Sequence, residues 1–184
     1  MAGPPQRDAA SARAQALVIE TPRLLIRLPL DEDATAYYEI HADPDVTKWL
    51  GGLRPNSVEE ELARIESRRA MHDEIGHTMW TVEEKDTAAV VGLAGLFPVE
   101  NVGPDVEVAY HFRKDRWGRG YATEVARACL AYGFETIKLA RIVGLVAPAN
   151  VASRRVLEKC GLRHEGSGHY YDQDLLVFAA SAPA

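Results

Sequence analysis

The run over 106–112, in which Val106, Val108 and Tyr110 alternate with Glu107, Ala109 and His111, leads into Arg116-Trp117-Gly118-Arg119-Gly120 and then a helix-like stretch over 121–137. Alternation with a period of two makes the first part a strand with one apolar and one polar face. Glycines between a strand and a helix let backbone N–H groups converge on an anion, and the helix dipole adds to the pull. Arg113, Lys114, Arg116 and Arg119 concentrate positive charge there. The alternative is an ordinary strand–helix connection with solvated charges. Two other phosphate loops fit badly. A Walker loop needs Lys-Ser or Lys-Thr after its second glycine, whereas Gly120 precedes Tyr121-Ala122. A Rossmann fingerprint needs three spaced glycines, and only Gly118 and Gly120 are present. The turn therefore reads as an anion site of backbone and arginines, without a magnesium ligand.

The rest of the chain reads as one domain. With 184 residues there is room for one sizeable core but not for two ordinary domains. No run approaches the roughly 20 consecutive apolar residues of a membrane span. A net charge of -6 argues against a nucleic-acid partner held by the overall field. Cys129 and Cys160 can form neither a disulfide framework nor a four-thiolate metal site, and they read as reduced, structural thiols of a cytoplasmic protein. Residues 1–16 read as a disordered leader without a signal peptide, and 181–184 as a disordered tail. Between them, over 17–180, the expected order is a broken strand over 17–30, then a helix over 34–41 with acidic residues at its start. A turn at Asp43-Pro44-Asp45 follows, then a helix to about Asp73 opened by a Ser57/Glu60 capping box. Strands over 78–83, 90–97 and 106–112 make an antiparallel meander. A strand over 142–146, a helix from Asn150 to Cys160-Gly161, and strands over 162–165 and 170–178 complete an α/β (α+β) domain with a mixed, mostly antiparallel sheet.

Three stretches together resemble a known family. Trp117-Gly118-Arg119-Gly120-Tyr121-Ala122-Thr123-Glu124 is similar to the pyrophosphate-binding loop of the GNAT superfamily of acetyl-CoA-dependent N-acetyltransferases. The Rim-type branch, which acetylates ribosomal-protein N-termini, matches it in particular. The resemblance runs over about 17–178 and takes in Glu20-Thr21-Pro22-Arg23-Leu24, Val106-Glu107-Val108-Ala109-Tyr110, and Asn150-Val151-Ala152-Ser153 leading to Leu157-Glu158-Lys159-Cys160-Gly161. It implies a splayed strand pair flanked by helices, with acetyl-CoA between the strand ending near Phe112 and the strand over 142–146. It also implies that the amides of Gly118, Arg119, Gly120, Tyr121, Ala122 and Thr123 hold the pyrophosphate. Backbone at His111, Phe112 and Arg113 would meet the pantetheine, and Asn150 and Arg155 would contact the cofactor. Asn150 is equally a good N-cap. Trp117 stands where the superfamily usually has Gln or Arg, a variation common in the Rim-like branch.

Many members carry a general-acid tyrosine where this chain has Leu157. Ser153, on the same helical face, is the substitute proton donor, its alternative being plain helix solvation; Tyr170 or Tyr171 could serve instead, with core or pocket packing as the plainer reading of either. Glu107 is the candidate base, acting through water in the cleft where the resemblance places it, its alternative being a surface glutamate. Trp49 and Tyr170 are candidate substrate contacts, with core packing as the alternative, and Trp80 reads as core. Glu59, Glu60, Glu61 and Glu66 read as a solvated helix face that could instead attract a cationic substrate.

The implied reaction moves an acetyl group to a primary amine, a protein N-terminus or a small molecule, by direct attack on the thioester. No metal takes part, nor any membrane or nucleic-acid partner, and the protein is a monomer or homodimer. An α-amine with a pKa of about 8 is neutral far more often at pH 7 than a lysine at about 10.4, which favours the more acidic amine. The competing reading is an acyl-CoA-binding or sensing module that has kept the loop without the chemistry.

Overall fold

The computed structural model describes residues 16–51 and 57–183; of the leader expected over 1–16, residues 1–15 lie outside the described residues. Ala16, counted with that leader by composition, is buried, and its carbonyl accepts the Leu28 N–H at 2.7 Å. Strands β1 (Leu17–Glu20) and β2 (Leu24–Arg27) form a hairpin around Pro22. Helix α1 (Ala34–Ala42) follows a short 3-10 turn at Asp31–Asp33. The turn expected at Asp43-Pro44-Asp45 is a one-turn helix, α2 (Pro44–Thr47). Asp43 caps it by accepting the Asp45 N–H, and Pro44 fits because the first helical position needs no N–H partner. Helix α3 (Val58–Ile75) is capped by Ser57, whose Oγ accepts the Glu60 N–H, and it closes at Gly76 in the left-handed conformation.

Strands β3 (Met79–Glu84), β4 (Val90–Pro98) and β5 (Val106–Phe112) form the expected meander. Helix α4 (Tyr121–Ala131) then passes into a π-helical turn at Tyr132–Thr136, inside the span read as one helix. Strand β6 (Arg141–Val146), helix α5 (Val151–Lys159), strand β7 (Arg163–Tyr170) and strand β8 (Gln173–Ser181) complete the order. The last hairpin differs from expectation. β7 extends to Tyr170, the turn falls at Tyr171-Asp172, and β8 begins at Gln173. Ser167, Gly168 and His169 lack the apolar alternation that marks a strand, yet they pair with Leu176, Leu175 and Asp174. Ser181, assigned to the tail, is the last residue of β8 and pairs with Arg141.

Among the described residues, eight strands lie in the order β1-β2-β3-β4-β5-β6-β8-β7, with only the β5–β6 junction parallel. Apolar residues of β2 to β5, among them Leu24, Ile26, Trp80, Val82, Val106 and Val108, pack against Tyr121, Val125, Ala126 and Cys129 of α4 and Leu157 of α5. The opposite face meets α1 to α3 through Tyr37, Ile40, Val46, Ile65 and Leu93. The result is a sheet between two helical layers. It also means that β5, with its alternating pattern, sends one set of side chains into each layer.

Candidate active site

β5 pairs with β4 along its whole length, from Gly92↔Phe112 to Pro98↔Val106. It meets β6 at one register position, Glu107↔Val143. Two parallel strands that share a single pair of partners diverge beyond it, so the sheet parts at its centre.

On one face of β5, Val106, Val108 and Phe112 enter the main core. Tyr110 reaches α5, where its hydroxyl lies 3.0 Å from Ser153 Oγ. On the other face, Glu107 is buried at the closed end of the parting. Tyr171 Oη donates to Glu107 Oε2 at 3.0 Å and accepts the Glu100 N–H at 2.9 Å, and Glu100 Oε1 accepts the Tyr171 N–H. Tyr171 and Asp172 both have positive φ, 52° and 57°, as a two-residue hairpin turn requires, and that turn aims the phenol at Glu107. Burial pushes the Glu107 carboxyl up to about 7, although the Tyr171 hydroxyl and the Leu145 amide both favour its charged form. Such a group is close to half ionised at neutral pH.

Beyond β5, the chain turns at Lys114–Arg116 and enters the glycine turn, with Gly118 at φ 74° and Gly120 at φ 79°. Gly120 is the N-cap of α4 and brings no capping side chain. The first-turn amides of Tyr121, Ala122 and Thr123 therefore have no partner within the helix, and the positive end of the dipole is left bare. The cations nearby are not bare. Arg116 Nε sits 3.1 Å from Glu84 Oε1, which also accepts Tyr121 Oη at 2.7 Å and has Arg119 Nη1 at 3.7 Å. Arg113 faces Glu39 and Asp115, and Lys114 is paired with Asp45. The basic cluster read from the sequence is thus largely neutralised in place, and the backbone amides are the stronger anion donors. Arg23 braces the turn, donating to the Arg119 carbonyl at 2.9 Å and pairing with Glu124 at 2.6 Å. A groove of about 540 Å³ lies beside it, lined by Thr21, Arg23, Gly120, Thr123, Glu124 and Arg127 among others.

The family model described as an acetyltransferase (GNAT) domain matches residues 23–163, which include the loop, the parting and Glu107. The chain belongs to the GNAT acetyltransferase family. It is 31% identical over 149 residues to an uncharacterized N-acetyltransferase, YoaA, of Bacillus subtilis, covering 81% of this chain and 84% of that one. A GNAT-family acetyltransferase from Bacillus anthracis superposes with a TM-score of 0.76 at 27% identity, over 89% of this chain and 97% of that one. RimJ of Mycobacterium smegmatis, solved in complex with CoA-disulfide, has the same fold, with a TM-score of 0.74 at 23% identity over 86% and 82% of the two chains.

In this acetyltransferase, Glu107 shares its strand face with Ala109 and His111, as the alternation predicts. Ser153 lies on α5, the layer opposite, with Tyr110 as its neighbour. Asn150 acts as the N-cap of α5, its Oδ1 accepting the Ser153 N–H at 3.1 Å. Arg155 is exposed on the same helix, and Leu157 is in the core. Of the β5-end backbone read as facing the cofactor, the Phe112 carbonyl already accepts Trp117 Nε1, and the Arg113 N–H binds Val91. The His111 ring bonds His41 on α1 at 2.8 Å, a role the sequence did not suggest. Trp49 is half-buried with Lys48 over its ring, and Tyr170 packs on the Val99, Val143 and Ala179 cluster.

Four polar side chains of the region were not singled out for these contacts: Tyr171 at Glu107, Tyr110 at Ser153, and the pair His41 and Glu61. Glu61 corrects the reading of a solvated acidic face, because its side chain is fully buried. A signal was present, since Val58, Leu62 and Ile65 define the inward stripe of α3 and position 61 lies on it. His41 similarly falls four residues after the buried Tyr37. No helix among the described residues is long and apolar enough to cross a membrane.

Proposed function

We propose that the protein transfers the acetyl group of acetyl-CoA to a primary amine, a protein N-terminus or a small-molecule amine, with Glu107 as the base. One observation supports this most: a carboxyl buried where the sheet parts, with its only described hydrogen-bonding side chain on a hairpin turn. A base poised near the working pH removes a proton most effectively. Acetyl-CoA suits the residues around it. The amides of Gly118 to Thr123, at an α4 N-terminus with no capping side chain, would take the pyrophosphate, with Arg23 and Glu84 fixing the loop and Asn150 and Arg155 at the next helix. Acetyl-CoA supplies the activated thioester.

The amine attacks the carbonyl carbon while Glu107 takes a proton from nitrogen, directly or through water. The departing sulfur takes a proton from Ser153 Oγ, which Tyr110 orients from across the seam. Burial holds the Tyr110 phenol well above its ordinary value, so it stays protonated at neutral pH and keeps its hydrogen bond with Ser153 Oγ. Trp49 and Tyr170 would contribute acceptor contacts.

Thiol release from acetyl-CoA, measured over a panel of N-terminal peptides, polyamines and aminoglycosides, tests this reading. At least one amine is expected to turn over, with Glu107→Gln about 100-fold slower at unchanged acetyl-CoA affinity. Gly120→Asp is expected to abolish acetyl-CoA binding in calorimetry, with Gly120→Asn retaining most of it. Both side chains tolerate the positive φ, and only one places a negative charge at the helix start. Binding without turnover on every amine would leave a sensing module instead.

A further inference from the structure

Three titratable groups, the buried Glu61 and His41 and the half-buried His111, line up from α3 through α1 to β5. Glu61 Oε1 accepts His41 Nδ1–H at 2.7 Å, and His41 Nε2 faces His111 Nε2 at 2.8 Å. The side chains of Glu61 and His41 are wholly enclosed. With His41 Nδ1–H committed to Glu61, the two Nε2 atoms share one proton, carried by one ring and accepted by the other. His111 Nδ1 makes no hydrogen bond among the described residues, and His111 stands on the part of β5 beyond its single pairing with β6. Glu61 Oε2 is buried and has no hydrogen bond among the described residues, while Arg64 Nη1 reaches Oε1 at 3.2 Å.

A network that served only to tie α1 to α3 would have little use for a second histidine or for an unsatisfied carboxylate oxygen. Buried charge of this kind is costly unless fully paired, and apolar side chains would hold the same helices. The line also has a direction. It starts at an enclosed carboxylate and ends on the polar face of the strand that carries Glu107.

We propose that Glu61, His41 and His111 form a proton relay of the acceptor site. His111 Nδ1 takes the proton that an ammonium acceptor must lose before attack, and His41 and Glu61 are positioning residues that stabilise the charge so produced. The inference rests on the acetyltransferase reading above and adds to it a route for the net proton. An ammonium acceptor loses two protons in becoming an acetamide, and the CoA thiolate regains one. In the first step the acceptor's N–H bond breaks and His111 Nδ1–H forms. As it forms, the Nε2 proton of His111 passes to His41 Nε2, so that the positive charge rests on His41 beside the Glu61 carboxylate. The neutral amine then forms the C–N bond, Glu107 takes the second proton, the C–S bond breaks, and the thiolate is protonated from Ser153. Solvent re-protonates Ser153 after collecting the Glu107 proton, and the relay releases its own proton when the product leaves. No group changes oxidation state.

The surroundings suit this assignment. Burial, His41 and Arg68 hold His111 well below the ordinary histidine range, so it is neutral and able to accept at pH 7. Burial alone would push the Glu61 carboxyl up, but the His41 bond and the charges of His41, Arg68 and Arg64 outweigh it and keep the group ionised. Tyr37 on α1, with its ring centroid 6.3 Å from that of His41, is a further titratable neighbour of the line.

The test compares an acceptor that is an ammonium ion at neutral pH, a primary alkylamine, with hydroxylamine, which is uncharged there. His111→Ala is expected to lower kcat for the alkylamine about 100-fold, to spare hydroxylamine, and to recover partly with added imidazole, at unchanged acetyl-CoA affinity. Glu61→Gln is expected to lower kcat for the alkylamine and to move the acid limb of the pH profile to lower pH, because the protonated pair loses its counter-charge. Equal losses on both acceptors, with an unmoved limb and no imidazole response, would overturn the relay and leave packing. If the wild type acetylates no amine, the acetyltransferase reading fails on its own terms. Nitrogen NMR of the histidines in the unliganded protein still decides the relay: a coupled titration of His41 and His111, lost in Glu61→Gln, supports it, and two independent titrations overturn it.

Discussion

Two sets of buried charge lie on the α1–α3 side of the sheet, and they are built differently. Around Arg27 the network is closed. Its guanidinium meets both oxygens of Asp33 at 2.7 and 2.8 Å and Glu83 at 3.0 Å, and Asp33 Oδ2 also accepts Thr81 Oγ1, itself bonded to Tyr37. At the β5 seam the polar groups are open-ended. Glu107 has a raised carboxyl, and among the described residues neither the buried Glu61 Oε2 nor His111 Nδ1 has a hydrogen bond. A closed network fixes the start of α1 against β2 and β3. An open one keeps free capacity for a proton or a ligand, and it costs stability to maintain.

The sharpest way to break the comparison is to open the closed network. Arg27→Met should leave Asp33 buried without its counter-charge, costing about 3–5 kcal/mol, read as a fall in the urea midpoint at constant slope. Glu107→Gln should do the reverse. The folded carboxyl is held up at about 7 against an unfolded value of 4.5, so the folded state binds the extra proton. Its stabilising contribution is complete below the unfolded value and is lost as pH rises through about 7. The glutamine variant should therefore lack that decline and be more stable than wild type at pH 8, by on the order of 3 kcal/mol, while losing turnover. Unfolding curves that stay parallel across this range would remove Glu107 from the open class. The smallest effect belongs to Tyr171→Phe. Losing one hydrogen bond to the charged carboxyl should raise Glu107 further and move the acid limb of the rate profile up by roughly one pH unit, with a stability change near 1 kcal/mol.

The same division governs what could be read in advance. The order of elements, the alternation of β5 and the uncapped glycine turn are local patterns, and each survived into three dimensions with boundaries shifted by a few residues. Asn150 as a cap was legible for the same reason, since the bond spans three residues. The arginines of the loop were legible as charges but not as ion pairs. Their partner Glu84 lies some thirty residues away and meets them only after β3 and β4 have folded. Tyr171 was harder still, because its contact with Glu107 spans 64 positions and depends on a hairpin turn whose strands have weak alternation. Tyr170 was chosen over its neighbour, and one residue in a hairpin decides which side chain faces the seam. Glu61 and His41 were hidden by residue type, since charge on a helix usually means solvent. Their spacing along the apolar stripe was the better guide.

The single β5–β6 pairing has a consequence for association. Unpaired strand edges usually lie at the rim of a sheet, where they can recruit another chain into an extended or aggregated assembly. Here two edges face one another in the middle of the molecule, between two helical layers. A polypeptide strand could fill that gap only if it ended there, because its continuation would have to run on through the packed layers. A short molecule with amide groups of its own meets no such obstacle. The arrangement admits a short molecule or a chain end while denying the gap to a strand that would have to pass through it.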